Sequence, residues 1–171
     1  MTGKEIVRRA RNASDGFEPA CRKFAGAVTT ELMKKFLTHE GIPTSTRDVF
    51  IQGIPLEIDL IVPRRGQKPT FGLLYEAQQV AAALEIKKSG TFGKQSLRTI
   101  RENFKQLRKH KVKCAYVTLE ERKTYRHKAT KKNIGGFPCF TLAWHKGEEK
   151  LTETRHWEKL LTFLRQHLSA V

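Results

Sequence analysis

The stretch that most constrains the fold of this chain is residues 54–62, where every even-numbered position is apolar. Side chains on a β-strand point alternately to its two faces, so these apolar residues are expected to cover a core. The same alternation puts Glu57 and Asp59 together on the opposite face. The pattern therefore predicts a strand with two carboxylates on its polar side.

A second predicted strand ends in Leu-Glu-Ile-Lys at residues 84–87, and its two polar side chains also share one face. If the two strands are neighbours, Asp59 and Glu85 converge and Lys87 lies beside them. Carboxylates are ligands that Mg²⁺ takes beside substrate phosphates, and a lysine there can neutralise charge that develops at a phosphate. Glu57, on the same strand face as Asp59, remains an alternative to it.

The rest of the chain reads as alternating helices and short strands. Periodicity predicts helices over about 22–39, 94–110 and 154–168, and further strands over 48–51, 114–119 and 137–144. We therefore expect an α/β fold with a mixed central sheet flanked by helices on both faces. The 171 residues suit one domain, 17–171, after a flexible basic segment, 1–16.

Positive charge is concentrated in the middle of the chain. Residues 61–135 hold 19 basic and 5 acidic groups, which is +14 of the net +16. Such an excess attracts polyanions, nucleic acid above all. The predicted helix 94–110 carries a basic stripe, and a basic loop, 121–133, follows it. The candidate DNA-binding residues are Lys94, Gln95, Arg98, Arg101, Lys105, Lys123, Arg126 and Lys128.

Several classes of protein are disfavoured. The three cysteines are widely spaced and form no CxxC motif, so we expect free thiols and neither a disulfide scaffold nor a zinc site. No apolar run approaches the roughly 18 residues that a membrane span needs. The first residues lack the apolar core of a signal peptide, so a cytoplasmic protein with no membrane partner is expected.

The residues around Asp59 and Glu85-Ile86-Lys87 resemble the PD-(D/E)xK phosphodiesterases, the restriction-endonuclease-like nucleases. The resemblance extends from Glu31 to Lys109. It implies that Asp59 and Glu85 bind Mg²⁺, with Mn²⁺ as a substitute, and that the backbone carbonyl of Ile86 is a further ligand. It also implies that Lys87 assists the attacking water and that Glu31, on the first helix, completes the catalytic set. The long gap from Asp59 to Glu85 implies an inserted loop or extra strand.

The sequence thus indicates a Mg²⁺-dependent DNA endonuclease, either of the restriction type or specific for a DNA structure in junctions or repair. Because a duplex cut on both strands needs two sites, a two-fold homodimer is expected. The alternative is a non-catalytic basic nucleic-acid-binding protein. In that case Glu85 and Lys87 form only a surface ion pair, worth about 1 kcal/mol or less.

Overall fold

The computed structural model describes residues 8–9, 22–90, 93–122, 129–146 and 150–168. Within these ranges a short 3₁₀ turn, Ala77–Gln79, precedes the fourth strand. The helices are α1 (Arg22–His39), α2 (Lys94–Lys109) and α3 (His156–Leu168). The strands are β1 (Arg47–Ile51), β2 (Ile54–Pro63), β3 (Leu74–Tyr75), β4 (Val80–Ser89), β5 (Lys113–Arg122), β6 (Cys139–Lys146) and β7 (Lys150–Glu153).

The strands form one seven-stranded mixed sheet in the order β3-β1-β2-β4-β5-β6-β7. Strand β2 runs antiparallel to both β1 and β4, whereas β4, β5 and β6 run parallel to one another. At the edges, β3 is parallel to β1 and β7 is antiparallel to β6. Helices cover both faces, which confirms the predicted fold class. No helix among the described residues is long and apolar enough to cross a membrane.

Two hydrophobic cores lie on the two faces of the sheet. The first core packs α1 and α3 against the sheet and includes the edge-on ring pair Phe36 and Trp157, whose centroids are 4.3 Å apart. The second core packs α2 against the opposite face. The predicted apolar stripe of α2 is confirmed, because all four of its residues are buried there: Leu97, Ile100, Phe104 and Leu107.

The structure adds two strands that the sequence pattern did not reveal. Strand β3 has only two residues and lies in the long gap between Asp59 and Glu85, as the resemblance implied. Strand β7 pairs with β6 at the other edge of the sheet. Strand β5 also continues to Arg122, so the basic segment after it begins later than expected. Apart from residues 8–9, the predicted flexible segment 1–16 lies outside the described residues.

The expectation that all even-numbered residues of β2 face one core is wrong. Ile54 and Ile58 belong to the second core, whereas Leu60 and Val62 belong to the first. The first half of β2 pairs with β1 alone, and pairing with β4 begins at Leu60. The even-numbered residues of β2 thus face the second core before Asp59 and the first core after it. This change occurs where β4 begins to pair with β2.

Candidate active site

Asp59 lies at a fork between β2 and β4. The two strands pair from Leu60 opposite Leu84 onward, and Asp59 comes immediately before this paired stretch. Its Oδ2 accepts a hydrogen bond of 2.7 Å from the backbone N–H of Ile86. A carboxylate thus takes the position that a strand carbonyl holds in a regular ladder, and it is fixed against β4.

Glu85 and Lys87 meet Asp59 at this fork, in the convergence expected of neighbouring strands. Lys87 Nζ lies 2.7 Å from Glu85 Oε1 and 3.3 Å from Asp59 Oδ2. The side chains of Asp59, Glu85 and Lys87 are 28%, 23% and 34% exposed. The three groups are therefore held by the sheet but remain open to a ligand from solvent.

The charges at the fork and the burial of the site shift the pKa values of Glu85 and Lys87. Burial raises the pKa of Glu85, and the neighbouring Asp59 raises it further, while Lys87 opposes both effects. Burial by itself lowers the pKa of Lys87, but Glu85 and Asp59 outweigh it, and the pKa of Lys87 ends above its ordinary value. Lys87 is thus an ammonium at neutral pH, held between two carboxylates.

The donor groups at the fork fit a hard divalent cation. Mg²⁺ prefers oxygen ligands and usually takes one or two carboxylates, with waters and substrate phosphate completing its shell. Asp59 and Glu85 supply two such groups, and an ammonium already lies between them, so the position favours positive charge. In the described ranges no three His, Cys, Asp or Glu residues are grouped to share a metal. Water and substrate would supply other ligands, and the expected contribution of the Ile86 carbonyl stays a prediction.

No hydrogen bond or ion pair among the described residues joins Glu31 to Asp59, Glu85 or Lys87. The Glu31 carboxylate lies 3.8 Å from Lys34 on the same helix, and Glu31 lines a cleft of about 470 Å³ together with Lys35 and Arg47. Its assignment to the catalytic set stays a prediction. Glu57, the alternative to Asp59, is an exposed residue of β2.

Two buried residues beside the site escaped the sequence analysis. Tyr116 and Thr118 of β5 stand next to Glu85 and Lys87 in the parallel register, and both are fully buried. Burial chiefly raises the pKa of Tyr116, with Glu85 contributing, so its hydroxyl keeps its proton. The signal in the sequence was weak, because isolated polar residues in an apolar strand gain meaning only from the neighbouring strand.

The candidate DNA-binding residues of α2 divide into two groups. Lys94, Gln95 and Arg98 are exposed on the first turns of the helix, which follows the strand that carries Lys87. Lys105 bonds Glu102 at 3.1 Å, and Arg101 Nε lies 3.4 Å from the same carboxylate. The proposed contacts Lys123, Arg126 and Lys128 lie outside the described residues.

Neither a protein-family model nor a curated protein sequence matches the chain. A solved structure, by contrast, matches nearly all of it: NucC of P. aeruginosa ATCC27853 in its cAAA-bound form. The TM-score is 0.67 at 12% identity, over 96% of this chain and 88% of that chain. That structure has the restriction-endonuclease-like fold. The chain has the restriction-endonuclease-like fold.

The fold that the resemblance implied is thus confirmed over almost the whole chain. Asp59, Glu85 and Lys87 meet at the fork of two central strands, and the catalytic roles that the resemblance implies for them stay a prediction. At this low identity the likeness establishes the fold, and the activity is argued from the site itself.

Proposed function

We propose that this protein is a Mg²⁺-dependent endonuclease that hydrolyses phosphodiester bonds of DNA. The observation that carries the proposal is the meeting of Asp59, Glu85 and Lys87 at a partly exposed strand fork in a restriction-endonuclease-like fold. A structural ion pair alone explains Glu85 and Lys87, but it does not explain a second carboxylate that shares the same ammonium.

The roles of the three residues follow from their contacts. Asp59 and Glu85 would hold the Mg²⁺, and the ion would supply Lewis-acid activation of a water and of the scissile phosphate. The bond to Ile86 N–H fixes the direction of the Asp59 carboxylate. Lys87 is cationic, so it can donate to a phosphate oxygen and offset the charge that develops there.

The basic surface of α2 favours a nucleic-acid substrate. The exposed side chains of Lys94 and Arg98 lie on the first turns of the helix, which packs on the second core. Leu84 and Ile86 belong to the first core, so the alternation of the strand turns Glu85 and Lys87 toward the α2 side of the sheet. Contacts of this type neutralise phosphates without reading bases. This suits an enzyme that selects DNA by its backbone and shape, although a restriction-type enzyme remains within the proposal.

The proposal is tested by cleavage of supercoiled plasmid in Mg²⁺, in Mn²⁺ and in EDTA. The Asp59→Ala variant is expected to lose cleavage by roughly 10²-fold or more while it retains DNA affinity, because it loses a metal ligand and keeps the basic surface. Glu57→Gln is the matched control, since it neutralises an exposed carboxylate of the same strand and is expected to cleave normally.

Each result discriminates between the candidate functions. Cleavage by Asp59→Ala at the wild-type rate contradicts the assigned site. Wild-type protein that binds plasmid in all three conditions but nicks it in none is the non-catalytic nucleic-acid-binding protein of the alternative. Loss of cleavage in Glu57→Gln, with Asp59→Ala active, transfers the ligand role to Glu57.

A further inference from the structure

The C-terminus of α2 has an unusual residue in its cap. Lys111 N–H bonds Arg108 C=O at 2.9 Å, and Val112 N–H bonds Leu107 C=O at 3.1 Å. These two bonds define a Schellman motif, which needs a left-handed residue at the position of Lys111. Lys111 indeed has a φ of 62°. Glycine is the usual residue there, because a Cβ disfavours this conformation.

The first helix of the same chain ends with the expected residue. Gly41 N–H bonds Thr38 C=O at 3.0 Å, and Ile42 N–H bonds Leu37 C=O at 2.9 Å, so α1 has the same motif. Gly41 has a φ of 74° at the position equivalent to Lys111. The lysine in α2 is therefore not required by the motif and brings conformational strain with it.

The Lys111 side chain lines a cleft of about 550 Å³ at this end of α2. The volume falls within the range of small-ligand sites. Three cations line it, and its described lining contains no carboxylate. The cations are Arg108, Lys111 and Lys113, and the apolar walls include Phe137, Pro138 and Phe163.

The cations of this cleft are partly pre-arranged. The Arg108 guanidinium lies over the ring of Phe137, 5.1 Å from its centroid, which limits its freedom before any ligand arrives. Burial lowers the pKa of His167, and the charges of Lys113 and Arg64 lower it further. The positive potential of Lys113 therefore extends past the cleft. No acidic residue in the described ranges pairs with these three cations, and together with the aromatic and proline walls they suit an anion that also carries a flat apolar ring.

We propose that this cleft binds a nucleotide, with the phosphate on Arg108, Lys111 and Lys113 and the base against the apolar wall. The cleft is distinct from the catalytic fork. Lys113 pairs with Ala82, and Lys87 lies five residues farther along β4, roughly 16 Å away along the strand. The nucleotide is either free or the phosphorylated end of a nucleic-acid strand, since both present the same groups.

The test uses the full-length protein in EDTA, so it is independent of cleavage. Calorimetry measures thymidine monophosphate, with thymidine and inorganic phosphate as partial ligands, and fluorescence anisotropy compares 5′-phosphorylated and 5′-hydroxyl oligothymidylate. Lys111→Gly is expected to weaken binding of the phosphorylated ligand by roughly tenfold, as one cation is lost. The same variant is expected to melt roughly 2–4 °C higher, because glycine relieves the left-handed strain.

Two further variants separate the cleft from general charge. Lys111→Arg keeps the cation and is expected to bind like wild type. Lys109→Ala removes an exposed charge from the same helix end, outside the cleft, and is expected to change the affinity less than twofold. A higher melting temperature of Lys111→Gly together with unweakened binding of every phosphorylated ligand overturns the proposal. So does the absence of saturable binding to all of them, or an equal loss in Lys109→Ala.

The two sources of the nucleotide give different patterns. If the ligand is a free nucleotide, we expect thymidine monophosphate to bind and the Lys111→Gly substitution to weaken that binding. A strand end predicts that the variant weakens only the 5′-phosphorylated oligonucleotide. Inorganic phosphate that binds as tightly as thymidine monophosphate overturns the assignment of the base to the apolar wall. Because Asp59→Ala is expected to leave all these affinities unchanged, failure here is distinguishable from failure of the nuclease proposal.

Discussion

At the scale of the residue, one catalytic candidate, Glu85, lowers the stability of the fold when it is ionised. Glu85 is largely buried beside a second carboxylate, and the net effect of burial, Asp59 and Lys87 raises its pKa. A carboxyl whose pKa is higher in the folded than in the unfolded state destabilises the fold when it ionises. Folding alone therefore does not favour a glutamate at this position, whereas binding of a divalent cation does favour a carboxylate there.

Glu85→Gln is therefore expected to raise the melting temperature at neutral pH while it abolishes cleavage. The gain should be small at pH 4 and grow as the pH rises above 4.5, the ordinary pKa of glutamate, because only the ionised form is penalised. Thermal melts of both proteins across this range measure it. Glu57→Gln, at an exposed position, should change the melting temperature little at any pH. A Glu85→Gln protein that is less stable than wild type at pH 7 contradicts the claim that ionised Glu85 destabilises the fold.

At the scale of the element, α2 joins two functions through one amphipathic pattern. Its apolar residues close the second core, and its outer face carries the basic side chains. The basic positions are unequal, because Lys105 already bonds Glu102, whereas neither Lys94 nor Arg98 has an acidic partner among the described residues. The stem of Arg101 also packs against Gly135, where an added Cβ would lie 2.9 Å from Arg101 Cγ.

The variant Lys94→Ala/Arg98→Ala is thus expected to weaken DNA binding more than Lys105→Ala does. The slope of log affinity against log salt should fall by about one unit for each lost phosphate contact, equally for unrelated sequences. Lys34→Ala/Lys35→Ala removes the same charge from α1 on the opposite face and is the control. Fluorescence anisotropy at several salt concentrations gives the slopes. An equal change in both double variants would mean that only total charge matters.

At the scale of the whole molecule, two of the three thiols are built into the folded domain. Cys114 and Cys139 are free cysteines, the first buried and the second half-buried. Burial raises the pKa of each to about 12, and Glu121 adds to the effect at Cys139. This agrees with the expectation of free thiols, and Cys21 lies outside the described residues.

Native Cys114 and Cys139 are accordingly expected to react with iodoacetamide at pH 8 roughly a thousandfold more slowly than in urea. The thiolate is the reactive form, and a pKa near 12 leaves about 10⁻⁴ of each thiol ionised at that pH. Native labelling should accelerate about tenfold per pH unit for as long as the fold persists. Peptide mass spectrometry follows each site, and equal rates with and without urea contradict the burial.

The homodimer also belongs to this scale and stays a prediction. If two copies assemble around a two-fold axis, each site is expected to cut one strand of a duplex. Light scattering on purified protein should then give twice the monomer mass, and plasmid should be linearised without accumulation of a nicked intermediate. A monomer that produces nicked circles first contradicts the symmetric assembly.

The elements whose evidence is local could be predicted from the sequence. Residues that repeat at the helical spacing marked the buried stripe of α2, and alternation placed Glu85 and Lys87 on one face of β4. Both patterns arise from the fixed geometry of one continuous segment, so neighbouring residues are enough to reveal them. The candidate ligands were recognisable for the same reason, since carboxylates at the end of an apolar strand are a local signal.

Which segments become neighbours depends on the packing of the complete fold. The approach of Asp59 to Glu85 depends on pairing across a long gap, and the change of face in β2 depends on where β4 joins it. The position of Glu31 and the cleft around Lys111 depend in the same way on elements distant in the chain. Register and packing are set by the summed contacts of the whole sheet and its helices, which no single segment encodes.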